Sequence, residues 1–360
     1  MIRNSRILYF FTAILLFACG SDDEPAPQVG LKFLGQSAIP GTLSTDVWGY
    51  FDSNTSKEYA ITGDFTDFQG GNVTVFDVTD PAQPIQVSSL STAIGFDVKV
   101  WDHYVYAANG AFNSGTISPS KILDISDPTD PQIVGEFPEA HNSFIDEKGY
   151  MYLTDGDHPG LSIFDLNQDP TQPILVWDDD KTTQAHDAAV IRGRLYDFHG
   201  FDATYVYDVN DPENPQLLGE VRKEGTYHHS GWVTQDNNYL FICDELASDP
   251  NPDITIWDIN DLNNPVQVGF IADSLSRAHN MSIIGDHAFV SYYGAGLRVY
   301  DVADPAQPKL VDEFNTNTTG GTGVGNGFEG AFGVYPFAPS GNIYVSDIDN
   351  GLFVFSFKGE

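Results

Sequence analysis

The sequence predicts an all-β fold: a seven-bladed β-propeller of four-stranded blades, closed by its N-terminal strand. Three observations carry this. One strand-and-turn unit recurs six times, and a degenerate seventh copy ends the chain. Each period of 41 to 50 residues holds four short apolar runs and no helical pattern. The half-unit missing after the seventh copy is found at the other end of the chain.

The unit reads "VTVFDVTDPAQPIQV", "KILDISDPTDPQIV", "LSIFDLNQDPTQPILV", "TYVYDVNDPENPQLL", "ITIWDINDLNNPVQV" and "LRVYDVADPAQPKLV", with marker aspartates Asp77, Asp124, Asp165, Asp208, Asp258 and Asp301. Alternating Val, Ile, Tyr and Phe predict a strand. The Asp-x-x-Asp-Pro of most copies ends it, because the carboxylate bonds nearby backbone N–H groups and proline fixes φ. A second short strand follows, as in "PQLLGEV". Upstream lies another pair, joined by turns such as "DEKG", "RGR" or "GDH". The seventh copy, "LFVFSFKGE", has Ser356 in place of the aspartate and no following strand. Leu31 to Gln36, "LKFLGQ", resembles "PQLLGEV" and supplies it. The propeller is thus expected over 31–360, with closure removing the last unpaired sheet edges.

The chain has 360 residues, 51 acidic against 16 basic, for a net charge of −35. That excludes nucleic acid as a partner class, since a phosphate backbone needs a basic surface. It suits solubility or cation binding. Arg3, Arg6 and the apolar run Ile7 to Ala18 read as a signal peptide over 1–18, too short to span a bilayer as a helix. Leu16-Phe17-Ala18-Cys19 resembles a bacterial lipobox. The resemblance implies that Cys19 carries the acyl chains, and several chains on one residue give durable anchoring. Residues 19–30 then form the acylated cysteine and a flexible acidic tether, "CGSDDEPAPQVG", reaching roughly 35–40 Å at full stretch. The acidic "SDDE" resembles an export signal of surface lipoproteins. The expected address is the outer membrane, facing the medium, with membrane lipid and an extracellular ligand as partners. Cys243 is the only other cysteine and reads as a small core residue.

A histidine followed by a small polar residue recurs in "EAHNSF", "QAHDAA", "YHHSGW" and "RAHNMS". Aligned on the second strand of each period, the position at the start of the innermost strand reads Trp48, Phe96, His141, His186, His229, His279 and Phe332. The next position reads Gly49, Asp97, Asn142, Asp187, Ser230, Asn280 and Gly333. Both border the central channel at one rim. Four neutral imidazoles converging there can bind Fe, Cu, Mn or Zn, with Asp97, Asp187 and Glu329 as acceptors that orient them. Alternatively, a histidine at a blade junction bonds a neighbouring strand's backbone. Such a device belongs in most blades, whereas here aromatics fill three contiguous ones, as in a pocket with one polar and one apolar wall. His228 neighbours His229, and the "HSGW" register selects His229.

The order "AHN…AHD…HHSGW…DEL…AHN…YGAGLRVYD…FEGAFGVYPF…SGNIYVSDIDNGLFVF" resembles the choice-of-anchor B family, and the "VYDVxDPxxPxLVG" copies resemble LVIVD repeats. The resemblance covers nearly the whole mature chain. It implies a propeller at the cell surface, and no established reaction.

Three functions remain open at this level. The first is a binding or scaffold module for an extracellular ligand. The second is a metal-dependent enzyme centred on His141, His186, His229 and His279. The third is a polysaccharide-binding or -cleaving protein, with Trp48, Phe96 and Phe332 stacking sugar rings. The acidic stretches "DGDHPG" (155–160) and "CDELASDPNPD" (243–253) are candidates for calcium. "DIDNG" (347–351) lacks the spacing of a calcium loop and reads as an Asn-Gly hairpin.

Overall fold

The computed structural model describes residues 29–39, 42–67, 70–92, 95–110, 118–156, 159–247, 252–273, 276–317 and 329–359. Cys19, the signal segment, most of the tether and the glycine-rich 320–328 lie outside them. All secondary structure among the described residues is β, in seven four-stranded antiparallel sheets.

Blades one to six are consecutive, spanning 43–92, 97–137, 142–178, 187–221, 230–271 and 281–314. Blade seven takes Ala331–Tyr335, Asn342–Asp347 and Gly351–Lys358 from the C-terminus and Gly30–Ser37 from the N-terminus. In that pairing Gly30 faces Lys358 and Ser37 faces Leu352. The expected latch is therefore present. The first strand of every blade packs against the first strands of the blades on either side, in an unbroken circuit of seven. These strands border the axis.

The repeat motif explains the local geometry. All six marker aspartates accept a hydrogen bond from the amide two residues on, for instance Asp77 from Thr79 at 3.0 Å and Asp208 from Asn210 at 2.9 Å. Just before each of these aspartates a β-bulge shifts the register of the third and fourth strands. The bulge twists the outer strand, which protects the blade's free edge. The glycine of "VGE" lies under the next blade's proline turn. A Cβ on Gly135 would stand 2.3 Å from the Thr171 carbonyl, and one on Gly219 2.6 Å from that of Leu262. Gly35, in the N-terminal strand, obeys the same rule against the Pro81 carbonyl at 2.5 Å. In blade one Ser88 takes the glycine's place, and its hydroxyl donates to the Pro128 carbonyl at 2.7 Å.

The apolar core is divided into wedges, one at each blade junction. The first joins Ile61 and Val75 of blade one to Val98 and Leu123 of blade two. The last joins Tyr344 and Val354 of blade seven to Val47 and Phe76 of blade one. Cys243 is buried in the wedge between blades five and six, where burial pushes its thiol pKa up. The "DIDNG" segment is a hairpin: Asp347 pairs with Gly351 and accepts from the Asp349 and Asn350 amides.

Candidate functional site at the imidazole ring

In an antiparallel blade the start of the first strand and the end of the second lie at the same face of the propeller. At that face His141, His186 and His229 stand immediately before their blades' first strands, and His279 stands two residues before its own. Six side chains from blades two to seven form a closed circuit there. Ring centroids lie 4.9 Å apart for Phe96–His141, 4.6 Å for His141–His186 and 4.2 Å for His186–His229. The circuit continues at 4.6 Å for His229–His279, 4.0 Å for His279–Phe332 and 5.6 Å for Phe332–Phe96.

Blade one does not contribute Trp48 as expected. Register places Trp48 opposite Ile61, at the level of Tyr335 opposite Tyr344, because the hairpin between these two strands is longer in blade one than in the other blades. The residue at the histidine level is Thr45, whose hydroxyl donates to the Gly95 carbonyl. Because Thr45 is small, Phe332 and Phe96 close on each other edge to face. Trp48 sits deeper, 5.0 Å from Tyr335 and 4.9 Å from the Lys99 ammonium. The three rings proposed for sugar stacking are thus packed against protein neighbours.

The imidazoles are oriented by backbone carbonyls. His186 Nδ1 lies 3.1 Å from the His229 carbonyl, and His279 Nδ1 lies 2.7 Å from that of Phe332. A carbonyl has no proton to give, so Nδ1 carries the hydrogen in both, and in the neutral ring Nε2 carries the lone pair. Burial lowers the pKa of all four histidines. For His186 and His229 the neighbouring imidazoles push it further, well below the ordinary value. The ring is neutral at physiological pH. Among the described residues Nδ1 of His229, which is 2% exposed, meets no partner in hydrogen-bonding geometry. The carbonyl it would use, that of His279, accepts the Ser230 hydroxyl at 2.6 Å.

The acids named for orienting the imidazoles have other partners. Asp97 accepts from the Ser143 amide at 3.0 Å, the Ser143 hydroxyl at 2.8 Å and the Lys99 ammonium. Lys99 also bonds Asp46 at 2.7 Å, so blades one, two and three are stapled through the channel. Asp187 accepts from the Ala188 amide at 2.6 Å and lines the same channel. Burial raises Asp46 to about 7, against the opposing pull of Lys99, and raises Asp187 well above the ordinary carboxylate value. Glu329 is half-buried, and among the described residues no imidazole bonds it.

The acid that does face the ring is Glu245, in the turn after Tyr239–Cys243. Its Oε1 lies 3.8 Å from His186 Nε2 and its Oε2 lies 3.5 Å from His229 Nε2. The Asp244 carboxylate holds the turn by accepting from the Leu246 amide, and Arg277 donates to the Glu245 carbonyl. The Tyr293 hydroxyl donates to Glu245 Oε2 at 3.0 Å. In the sequence Glu245 falls in one of the two acidic stretches that are candidates for calcium. The usable signal was its place, directly after a second strand and so on the histidine face. His228 faces away, 2.8 Å from the Thr204 hydroxyl. Of the described acids in the two calcium stretches, Glu245 groups with His186 and His229, while Asp155, Asp244 and Asp253 fall in no group of three candidate ligands; 157–158 and 248–251 lie outside the described residues. His199, with Asp197 beside Nδ1 and the Thr183 carbonyl at Nε2, is committed at both nitrogens.

The architecture defines a seven-bladed β-propeller with a histidine-lined face. Residues 96–138 and 277–316 match the LVIVD repeat family, and the two matches fall on blades two and six. The chain is a propeller that carries LVIVD repeats. It is similar in fold to a candidate 6-phosphogluconolactonase from Bacteroides uniformis, with a TM-score of 0.56 and 13% identity over 74% of this chain and 85% of that one. It is also similar to a protein from Lactobacillus plantarum, with a TM-score of 0.57 and 15% identity over 85% and 89%. At such identities the likeness concerns the fold alone. No curated protein matches the chain.

Proposed function

We propose that this protein is a cell-surface lipoprotein of the choice-of-anchor B kind whose propeller binds a divalent transition-metal ion at the imidazole ring. Acyl chains on Cys19 hold it in the outer membrane, residues 20–30 tether it, and the propeller faces the medium. The observation that carries the binding reading is the set of four neutral imidazoles in consecutive contact, three buried and His141 half-buried, two of them with Nδ1 tied to a carbonyl so that the Nε2 lone pair is free. Imidazole nitrogen suits Zn, Cu, Fe or Ni better than the hard ions. Binding is the function the geometry supports best. The sugar reading is weaker because Trp48, Phe96 and Phe332 each pack against other rings of the protein.

Purified protein, stripped with a chelator and dialysed against zinc, copper, manganese and iron(II) in turn, is expected to retain at least one of them stoichiometrically. His186→Ala is expected to lose it while melting as the parent does. Wild-type protein that stays metal-free with every ion sinks the metal reading. For the address, Cys19→Ala is expected to release the protein from the membrane fraction, and unchanged membrane retention refutes the anchor.

A further inference from the structure

We propose that the ion is held by three side chains, His186, His229 and Glu245, in an open centre whose remaining position takes an exchangeable oxygen or nitrogen donor. His141 and His279 stand outside the coordination sphere. This rests on the reading that the ring is the metal site.

The contacts of Glu245 show a mismatch. The contacts of Glu245 with the two Nε2 atoms, 3.8 Å and 3.5 Å, are too long for hydrogen bonds. An imidazolium facing a carboxylate closes to about 2.8 Å. His186 has Nδ1 committed to the His229 carbonyl, so Nε2 is the atom it turns toward the carboxylate. A metal ion between a ring nitrogen and a carboxylate oxygen suits both as ligands. His186 and His229 are 5% and 2% exposed, so water does not relieve the mismatch freely. The three ligand atoms lie within 4.8 Å of one another. Ligands at about 2.1 Å from a tetrahedral ion stand about 3.4 Å apart. The gaps on both sides of Glu245 are close to that separation.

Glu245 is held for this task. Tyr293, which donates to its Oε2, has φ +28°, a left-handed backbone that a bulky residue rarely adopts. Such strain persists where the surroundings fix it, and here the Tyr293 backbone bridges to Ala331 of blade seven. Tyr293 is thus a positioning residue that acts through Glu245. His279 packs between the Tyr293 and Phe332 rings at 4.7 Å and 4.0 Å, and among the described residues the group of candidate ligand atoms within 4.8 Å of one another takes in neither it nor His141. Three protein ligands of the His-His-Glu type leave a fourth position for water or a small donor. The Tyr227 ring lies 5.3 Å from that of His186 and 4.8 Å from that of Phe201, a phenylalanine left 71% exposed.

Cobalt(II) is the probe, because its visible bands report coordination without any knowledge of a substrate. Apo-protein is titrated with cobalt, and then with azide. Wild type is expected to bind one ion per chain, with bands that shift on adding azide. Glu245→Gln, His186→Ala and His229→Ala are each expected to weaken binding by about 100-fold or more and to change the bands. His141→Ala and His279→Ala are expected to stay within about threefold. Tyr293→Phe is expected to lose about tenfold in affinity with little change in band shape, as for an outer partner of a ligand. Melting curves accompany every variant, and Glu245→Asp replaces Glu245→Gln should the latter fail to fold. Equal losses in His141→Ala and His186→Ala, with Glu245→Gln unchanged, overturn the three-ligand centre and leave the four-imidazole site standing. Bands that ignore azide remove the open position. A wild type that takes up no cobalt and none of the dialysed ions removes both readings.

Discussion

Asp253 shows how one buried side chain sets a pH response. Its Oδ2 accepts from the Asp273 amide and, at 3.4 Å, from the Tyr292 hydroxyl. Burial, with Asp273 adding to it, raises its pKa to about 7 from 3.8. Between those values the folded chain keeps a proton that the unfolded chain has released, so stability falls as pH rises from about 4 to 7 and then levels off. Asp253→Asn is expected to be more stable than wild type by roughly 2 kcal/mol at pH 8, with the gain gone near pH 4. Urea denaturation at the two pH values checks this, and a gain that does not depend on pH refutes the assignment. The candidate site was legible in the sequence only where it repeats. His141, His186, His229 and His279 recur in register and were found. Glu245 and Tyr293 sit in unlike turns, and only the fold brings them to the ring. Thr45 was hidden because the hairpin joining the first two strands of blade one is longer than in the other blades, so alignment on the second strand lands on Trp48, three places past the histidine level.

At the scale of the strand, the "VGE" glycine is a docking surface rather than a turn residue. The next blade's proline turn comes so close to it that a methyl group has no room. Gly135→Ala is expected to destabilise the fold by about 1–3 kcal/mol, as overpacking does, read as a lower midpoint in denaturant with an unchanged slope. A neutral result means that the Thr171 turn moves aside at no cost. Ser88 shows the permitted alternative, a side chain that meets the carbonyl with a donor. Strands, turns and blade count were readable because alternation and the Asp-Pro turn repeat every blade. The bulges were not, because a two-against-one pairing depends on the partner strand.

For the whole ring, stability is shared among seven wedges, and each blade depends on both neighbours. Blade seven alone is assembled from the two ends of the chain. Deleting residues 31–37 is expected to lower the melting temperature of the entire propeller in one step, since Gly351–Lys358 loses its outer partner and the Leu31 amide no longer bonds Asp312. A truncation that melts like the full chain would falsify the latch.

The same pairing has a mechanical side. The rungs between Gly30–Ser37 and Gly351–Lys358 begin beside residue 29. A pull on that residue, directed across the sheet, loads the Gly30–Lys358 rung before any other. The strand then unzips one rung at a time, at a lower force than sliding it lengthwise against its partner would need. Tension from the N-terminal side is therefore met by the strand that closes the circle.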